Sequence, residues 1–258
     1  MHISTFANLH INPRTFRILP RLNYFMKKHI YWLLFLITFA VAISSCKKET
    51  IDQQLTGKEY FPLKVGSYII YDVDSINFYD ITLTSDTFRY QLKELVDSMY
   101  IDDTGTPAYI LYRYKRANEN SAWKISRVWS AKVNDFRAEK QEENLRFIKL
   151  VFPIFKGKSW PGNALLEDST TIYSKSWQYT YTNVDTTFNF NGTQLDSSLI
   201  VSQYDDENLV EKNIEREAYA KNIGLIFKTS WHVSRQNITP NWKPEKGKIV
   251  TYRYNSQG

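Results

Sequence analysis

Leu225-Ile226-Phe227-Lys228-Thr229-Ser230-Trp231-His232-Val233 alternates apolar and polar side chains with a period of two. Extended backbone sends successive side chains to opposite faces, so this period marks a β-strand. Leu225, Phe227, Thr229, Trp231 and Val233 share one face, which is expected to be the core face. Lys228, Ser230 and His232 share the other, expected to face solvent. Residues 171 to 181 alternate in the same way, with Tyr173, Trp177, Tyr179 and Tyr181 on one side, and Trp123, Ile125 and Trp129 share a face in another run. Residues 211 to 222 can be drawn as a helix, since Val210, Ile214 and Ala218 recur every four positions, but the strand-rich surroundings favour a strand.

The punctuation between these runs belongs to an antiparallel fold. Asn191-Gly192, between Phe190 and Thr193, is the preferred dipeptide of a two-residue hairpin. Asp102-Asp103-Thr104-Gly105 turns the chain between strands expected at 88 to 100 and 108 to 116. The fold class is therefore all-β, an antiparallel meander forming a sandwich or a partly open barrel. Phe61-Pro62-Leu63-Lys64-Val65-Gly66, followed by Tyr68, is echoed by Phe152-Pro153-Ile154-Phe155-Lys156-Gly157, followed by Trp160. The repeat suggests two related β halves, with an internal division near residue 150.

The chain of 258 residues carries 33 Lys and Arg against 27 Asp and Glu. Five of the bases (Arg14, Arg17, Arg21, Lys27, Lys28) and no acid fall in the first 45 residues, so the rest is close to neutral. No basic face for nucleic acid is indicated. Met26-Lys27-Lys28-His29 precedes an apolar run from 30 to 43 that is short for a bilayer span. The run closes on Ile43-Ser44-Ser45-Cys46, so residues 26–45 have the order of a secretory signal and Cys46 stands where a lipobox cysteine is acylated. Residues 1–25 then read as an upstream extension, 46–59 as a polar tether, and 60–258 as the β domain. The expected partner is the membrane, reached through the lipid anchor, in the outer membrane facing the periplasm, with surface exposure as the alternative. A lone cysteine makes no intramolecular disulfide.

Catalytic chemistry finds few residues to use. His2, His10 and His29 lie in the leader, which leaves His232, read as a solvated surface residue without a triad motif. Gly157-Lys158-Ser159 lacks the earlier glycine of a phosphate loop, and Pro161-Gly162 stops the helix such a loop requires. Asp103-Thr104-Gly105 has no second copy to complete an aspartic-protease dyad. No metal site or cofactor is expected; Asp205-Asp206-Glu207 is at most a weak calcium turn. A glycosidase needs only two suitably spaced carboxylates and stays open. Of the 40 aromatic residues most are expected in the core, with Trp123, Trp129, Trp177 and Trp242 as candidates for an exposed sugar-binding platform.

The opening at 61 to 71, Asn144-Leu145-Arg146-Phe147-Ile148-Lys149-Leu150-Val151-Phe152-Pro153, Gly157-Lys158-Ser159-Trp160-Pro161-Gly162-Asn163 and Tyr219-Ala220-Lys221-Asn222-Ile223-Gly224-Leu225-Ile226 resemble uncharacterised lipoproteins of Bacteroidota. That resemblance implies an envelope location and an all-β fold, and no activity. It also implies O-glycan acceptors at Asp followed by Ser or Thr and then a small or aliphatic residue: Ser75, Ser98, Ser169 and Thr186, with Ser169 and Thr186 preferred because a turn is expected near each. The expected function is a non-enzymatic, membrane-anchored envelope module that binds a ligand, a glycan or an envelope-protein partner, or is purely structural. Its rivals are a carbohydrate-active hydrolase and a periplasmic carrier of an apolar ligand.

Overall fold

Runs rich in Tyr, Val, Ile and Thr pair with their sequence neighbours throughout the computed structural model, which describes residues 57–166, 177–190 and 192–258. Its strands are β1 (Tyr68–Tyr79), β2 (Thr84–Ile101), β3 (Pro107–Arg116), β4 (Lys124–Val133), β5 (Arg137–Glu142), β6 (Leu145–Val151), β7 (Ser159–Pro161), β8 (Gln178–Phe190), β9 (Thr193–Glu207), β10 (Glu211–Ala220), β11 (Gly224–Ser234) and β12 (Lys246–Gln257). Among the described residues the helical content is one 3₁₀ turn, Lys58–Tyr60, whose Tyr60 is buried. The 211 to 222 stretch is a strand as far as Ala220, as its surroundings indicated, and turns at 221 and 222.

Every pairing is antiparallel, and the strand order is β6-β5-β4-β3-β2-β1-β12-β11-β10-β9-β8-β7. The chain thus makes two six-strand meanders that meet where β1 pairs with β12, and it crosses from one to the other between β6 and β7. The sheet curls until its two edges nearly close it into a barrel. Ile148 N–H donates to Gly162 O at 2.8 Å and Trp160 Nε1 to Ile148 O at 2.8 Å. The Tyr181 hydroxyl donates to Val151 O and accepts from Val151 N–H, both at 2.9 Å. These bonds satisfy edge groups that would otherwise be open to another chain.

The core gathers on the seam side. Trp160, Trp177, Tyr179, Tyr181, Leu199 and Val201 from one meander pack against Leu111, Ala138, Leu150 and Phe152 from the other. The Trp160 and Tyr181 ring centroids are 4.5 Å apart. Trp177, Tyr179 and Tyr181 share the inward face, as the alternation predicts; Tyr173 lies outside the described residues. Gly162 sits so close to the Tyr179 ring that a Cβ there would fall 2.4 Å from it. The expected hairpin forms: Phe190 pairs with Thr193, with Gly192 at φ +78°. So does the 102 to 105 turn, where Asp102 Oδ1 accepts from Thr104 N–H at 2.9 Å and Thr106 N–H at 3.0 Å.

Two facial assignments are corrected by β-bulges, each of which adds one residue and swaps the faces beyond it. In β11 the register steps from Tyr219↔Leu225 to Ala218↔Phe227, leaving Ile226 as the extra residue. Leu225 faces inward, but beyond the bulge Lys228 does so too, and Phe227, Thr229 and Trp231 turn outward. The outer face is not bare, because Phe227 packs with Ala218, Ala220, Ile226, Phe188 and Tyr254. In β4 the register steps from Arg113↔Arg127 to Tyr114↔Ile125, skipping Ser126. Trp129 faces inward while Ile125 is exposed, so these two do not share a face.

Candidate functional site

Inside the barrel, bordered by Leu111 and Tyr219 of the packed core, is a cavity of about 410 Å³. Its lining has two chemical parts. Phe61, Pro62 and Leu63 from the segment before β1, and Tyr68 and Ile69 at its start, join Ile223 of the β10–β11 turn and Leu225 of β11 to form an apolar region. Strand residues supply seven charges, Glu94 (β2), Arg113 (β3), Lys140 and Glu142 (β5), Lys149 (β6), Glu217 (β10) and Lys228 (β11), and exposed Lys64 adds another at the lining.

The charges form two groups. In the first, Lys149 Nζ lies 2.7 Å from Glu217 Oε1 and 3.1 Å from Glu142 Oε1, and Lys228 Nζ lies 3.3 Å from Glu217 and 3.8 Å from Glu142. Lys149 reaches inward as the extra residue of a bulge, where the register passes from Ala138↔Leu150 to Glu139↔Ile148. Glu217 also accepts from Gln203 Nε2 at 2.6 Å and from the Tyr219 hydroxyl at 2.5 Å. Burial alone raises a carboxyl's pKa, but attraction from Lys149 and Lys228 outweighs it and holds both Glu142 and Glu217 below the usual carboxylate range. Burial likewise works to lower Lys149 and Lys228, and the facing carboxylates push both above the ordinary lysine value. This group balances two cations against two anions.

The second group does not balance. Glu94 accepts from Lys140 Nζ at 2.6 Å and lies 3.3 Å from Arg113 Nε, so one carboxylate serves two cations. Arg113 is only 6% exposed. Its guanidinium carbon stands 3.7 Å from the centroid of the Trp129 ring. Arg113 Nε and Trp129 Nε1 are both buried without a hydrogen-bond partner. Unpaired buried donors are uncommon because each forfeits its hydration without recompense.

The residues singled out from sequence lie mostly elsewhere. His232 is partly exposed, as expected, yet it is not merely solvated: Nε2 is 2.9 Å from Glu215 Oε1 and Nδ1 is 3.3 Å from Asn213 Oδ1. Ser230 also donates to Glu215. Among the tryptophans, Trp177 is buried and stacked on Tyr204 with centroids 4.9 Å apart. Trp123 is half-buried beside Arg116, and Trp242 is half-buried beside Lys212 and Arg235, so neither presents a bare ring. Trp129 alone reaches the cavity. Lys158 donates to the Phe152 and Pro153 carbonyls at 3.0 Å, a structural use of the Gly157-Lys158-Ser159 stretch. Asp205 and Glu207 are paired with Arg216 and Lys212. Among the described residues no group of three or more His, Cys, Asp or Glu is placed to hold a metal.

Of the acceptors and anchor, Ser75 is 6% exposed within β1, Ser98 is exposed in β2 and Thr186 is half-buried within β8. Cys46 and Ser169 lie outside the described residues. The seven cavity charges were missed from sequence, where charged residues on alternating strands read as the solvent face. The one legible hint was Lys149, a single charge inside Phe147-Ile148-Lys149-Leu150-Val151-Phe152.

No protein-family model and no curated protein matches the chain. Among solved structures it is similar to a Bacteroides fragilis protein described as exported, with a YmcC-like fold, at 11% identity and a TM-score of 0.38; 76% of this chain and 98% of that one are covered. It is also similar to a protein of Parabacteroides distasonis described as a lipoprotein, at 7% identity and a TM-score of 0.36, covering 77% and 98%.

Proposed function

We propose that this chain is a non-enzymatic lipoprotein of the cell envelope, anchored through acylated Cys46, whose barrel binds a small ligand in its interior. The cavity carries this reading. A purely structural barrel is served best by a filled core, whereas about 410 Å³ lined by apolar and charged side chains falls in the size range of small-molecule sites. Stability does not account for the charges either, because buried ion pairs often hold a fold no better than apolar residues of the same volume.

The hydrolase alternative meets a specific obstacle. Glycosidases require one carboxyl held protonated to act as the acid, yet Glu142 and Glu217, which flank the same two lysines, are both shifted toward the ionised form. Both are committed as counter-ions. Orientation toward the periplasm is consistent with the residues after Cys46, which carry no dense acidic cluster.

Two measurements test the proposal. Protein purified from membranes of its native host should have an intact mass corresponding to an acylated Cys46 as first residue, and Cys46→Ser should move it to the soluble fraction; a Cys46→Ser chain that still sediments with membranes refutes the anchor. Solvent extraction of the same protein should release a stoichiometric small molecule absent from an extract of a Leu225→Trp variant, in which the cavity is filled. Equal extracts from both would refute the interior site.

A further inference from the structure

The seven charges that the strands place in the cavity sum to one positive charge, exposed Lys64 at the lining being a further cation, and the pairing shows where the surplus of the strands resides. Glu142 and Glu217 pair with Lys149 and Lys228, while among the described residues Glu94 is the one carboxylate within 4 Å of Arg113 and Lys140, Glu142 acting on both from farther off. We infer that the ligand is an amphipathic anion, with a single carboxylate or phosphate headgroup against Arg113 and Lys140 and an apolar chain against Phe61, Leu63, Ile69, Ile223 and Leu225. This rests on the ligand-binding reading above and adds to it the ligand's charge and polarity.

Three observations converge on it. An uncompensated cation out of water is costly, and a bound anion removes that cost. Trp129 Nε1 is a buried donor with no acceptor, and Arg113 Nε has the Glu94 carboxylate at 3.3 Å but makes no hydrogen bond to it, so the complement is an acceptor group; a neutral hydrocarbon would leave both without a hydrogen bond, and a cation would add repulsion. The guanidinium carbon stands 3.7 Å from the Trp129 ring centroid, a cation–π contact that holds the side chain in place before a ligand arrives. Carboxylate and phosphate both match the fork of Arg donors. The apolar half of the lining excludes a free inorganic ion as the whole ligand, since nothing would cover Phe61, Leu63, Ile69, Ile223 and Leu225.

Glu215 lies beyond the lining, and its nearest partners are Ser230 and His232. It is two residue pairs along the β10–β11 ladder from Glu217↔Lys228, so its field falls on the balanced group. The surplus charge stays with Arg113 and Lys140.

Titration calorimetry on the mature chain from Cys46, carrying Cys46→Ser so that no acyl group competes, decides the matter with four probes. Decanoate and decyl phosphate should bind, decan-1-ol should bind at least about tenfold more weakly, the ratio expected for loss of a hydrogen bond to a charged group, and acetate should give no measurable heat. Arg113→Met should weaken decanoate about tenfold and leave decan-1-ol within about twofold, while Arg113→Lys should retain part of the preference. Equal affinities for decanoate and decan-1-ol would overturn the headgroup assignment and leave the cavity reading standing. Acetate binding as tightly as decanoate would overturn the amphipathic one. Absence of binding by all three decyl probes would bring down the ligand-binding reading itself. Because the four probes are compared on the chain with Arg113 intact, a poorly folding Arg113→Met leaves the test complete.

Discussion

Lys149 Nζ stands 2.7 Å from Glu217 Oε1, joining β6 to β10 across the barrel interior, with the two side chains 4% and 1% exposed. This ion pair, with Lys228 and Glu142 beside it, ties together the two meanders, which also meet through the β1–β12 ladder and the seam.

Breaking it from one side should be expensive. Lys149→Met leaves Glu217 with Lys228, Gln203 and Tyr219 but removes its nearest cation, and a loss of about 3 to 5 kcal/mol is expected for a buried pair deprived of one partner. Adding Glu217→Gln to the same chain should return part of that loss, because no uncompensated charge remains there. Urea unfolding of the two variants and the parent measures both effects; a double variant no more stable than Lys149→Met would contradict the pairing.

The same cluster sets a pH dependence. Glu142 and Glu217 have pKa values below the ordinary glutamate value, so their contribution is present above about pH 4.3 and is lost as the pH falls below that toward the depressed folded values. Lys149 and Lys228 have raised values, so their contribution is complete below about pH 10.4 and is lost above it. The urea midpoint should hold steady from about pH 5 to 8 and fall on either side. Glu142→Gln should flatten the acid limb, and an acid limb of unchanged slope in that variant would show that Glu142 is not held ionised.

Trp231 tests the register of β11. It lies on the outer face, half-buried, with Nε1 donating to Thr229 Oγ1 at 2.8 Å. Trp231→Ala should therefore cost only about 1 kcal/mol. Leu199→Ala, at a fully buried position in the seam core, should cost about 2 to 5 kcal/mol. The reverse ranking in thermal or urea unfolding would place the bulge elsewhere than Ile226.

Burial also ranks the candidate glycan acceptors. Ser98 is exposed, while Ser75 is enclosed between β2 and β12 through its Phe88 and Val250 pairings, where a glycan has no room. Glycopeptide mass spectrometry on protein from the native host should find hexose on the Ser98 peptide and none on the Ser75 peptide; a modified Ser75 would require β1 to be accessible.

Local chemistry decided much of this protein before any tertiary contact. Gly192 placed a hairpin, Asp102 folded a turn onto its own side chain, and the alternation of Trp177, Tyr179 and Tyr181 identified a face that is buried, because each of these depends on residues within a few positions of one another. Two things depended on the whole sheet. Period-two alternation says which side chains share a face, but not which face a curling sheet will make concave, and here closure turned Lys228, Glu217 and Arg113 inward. The bulges at Ser126, Lys149 and Ile226 add one residue each and exchange the faces beyond them, a shift visible only when the partner strand shows where the pairing skips. Only the closed barrel could bring one carboxylate of β2 against cations of β3 and β5 and leave a positive charge without an answer.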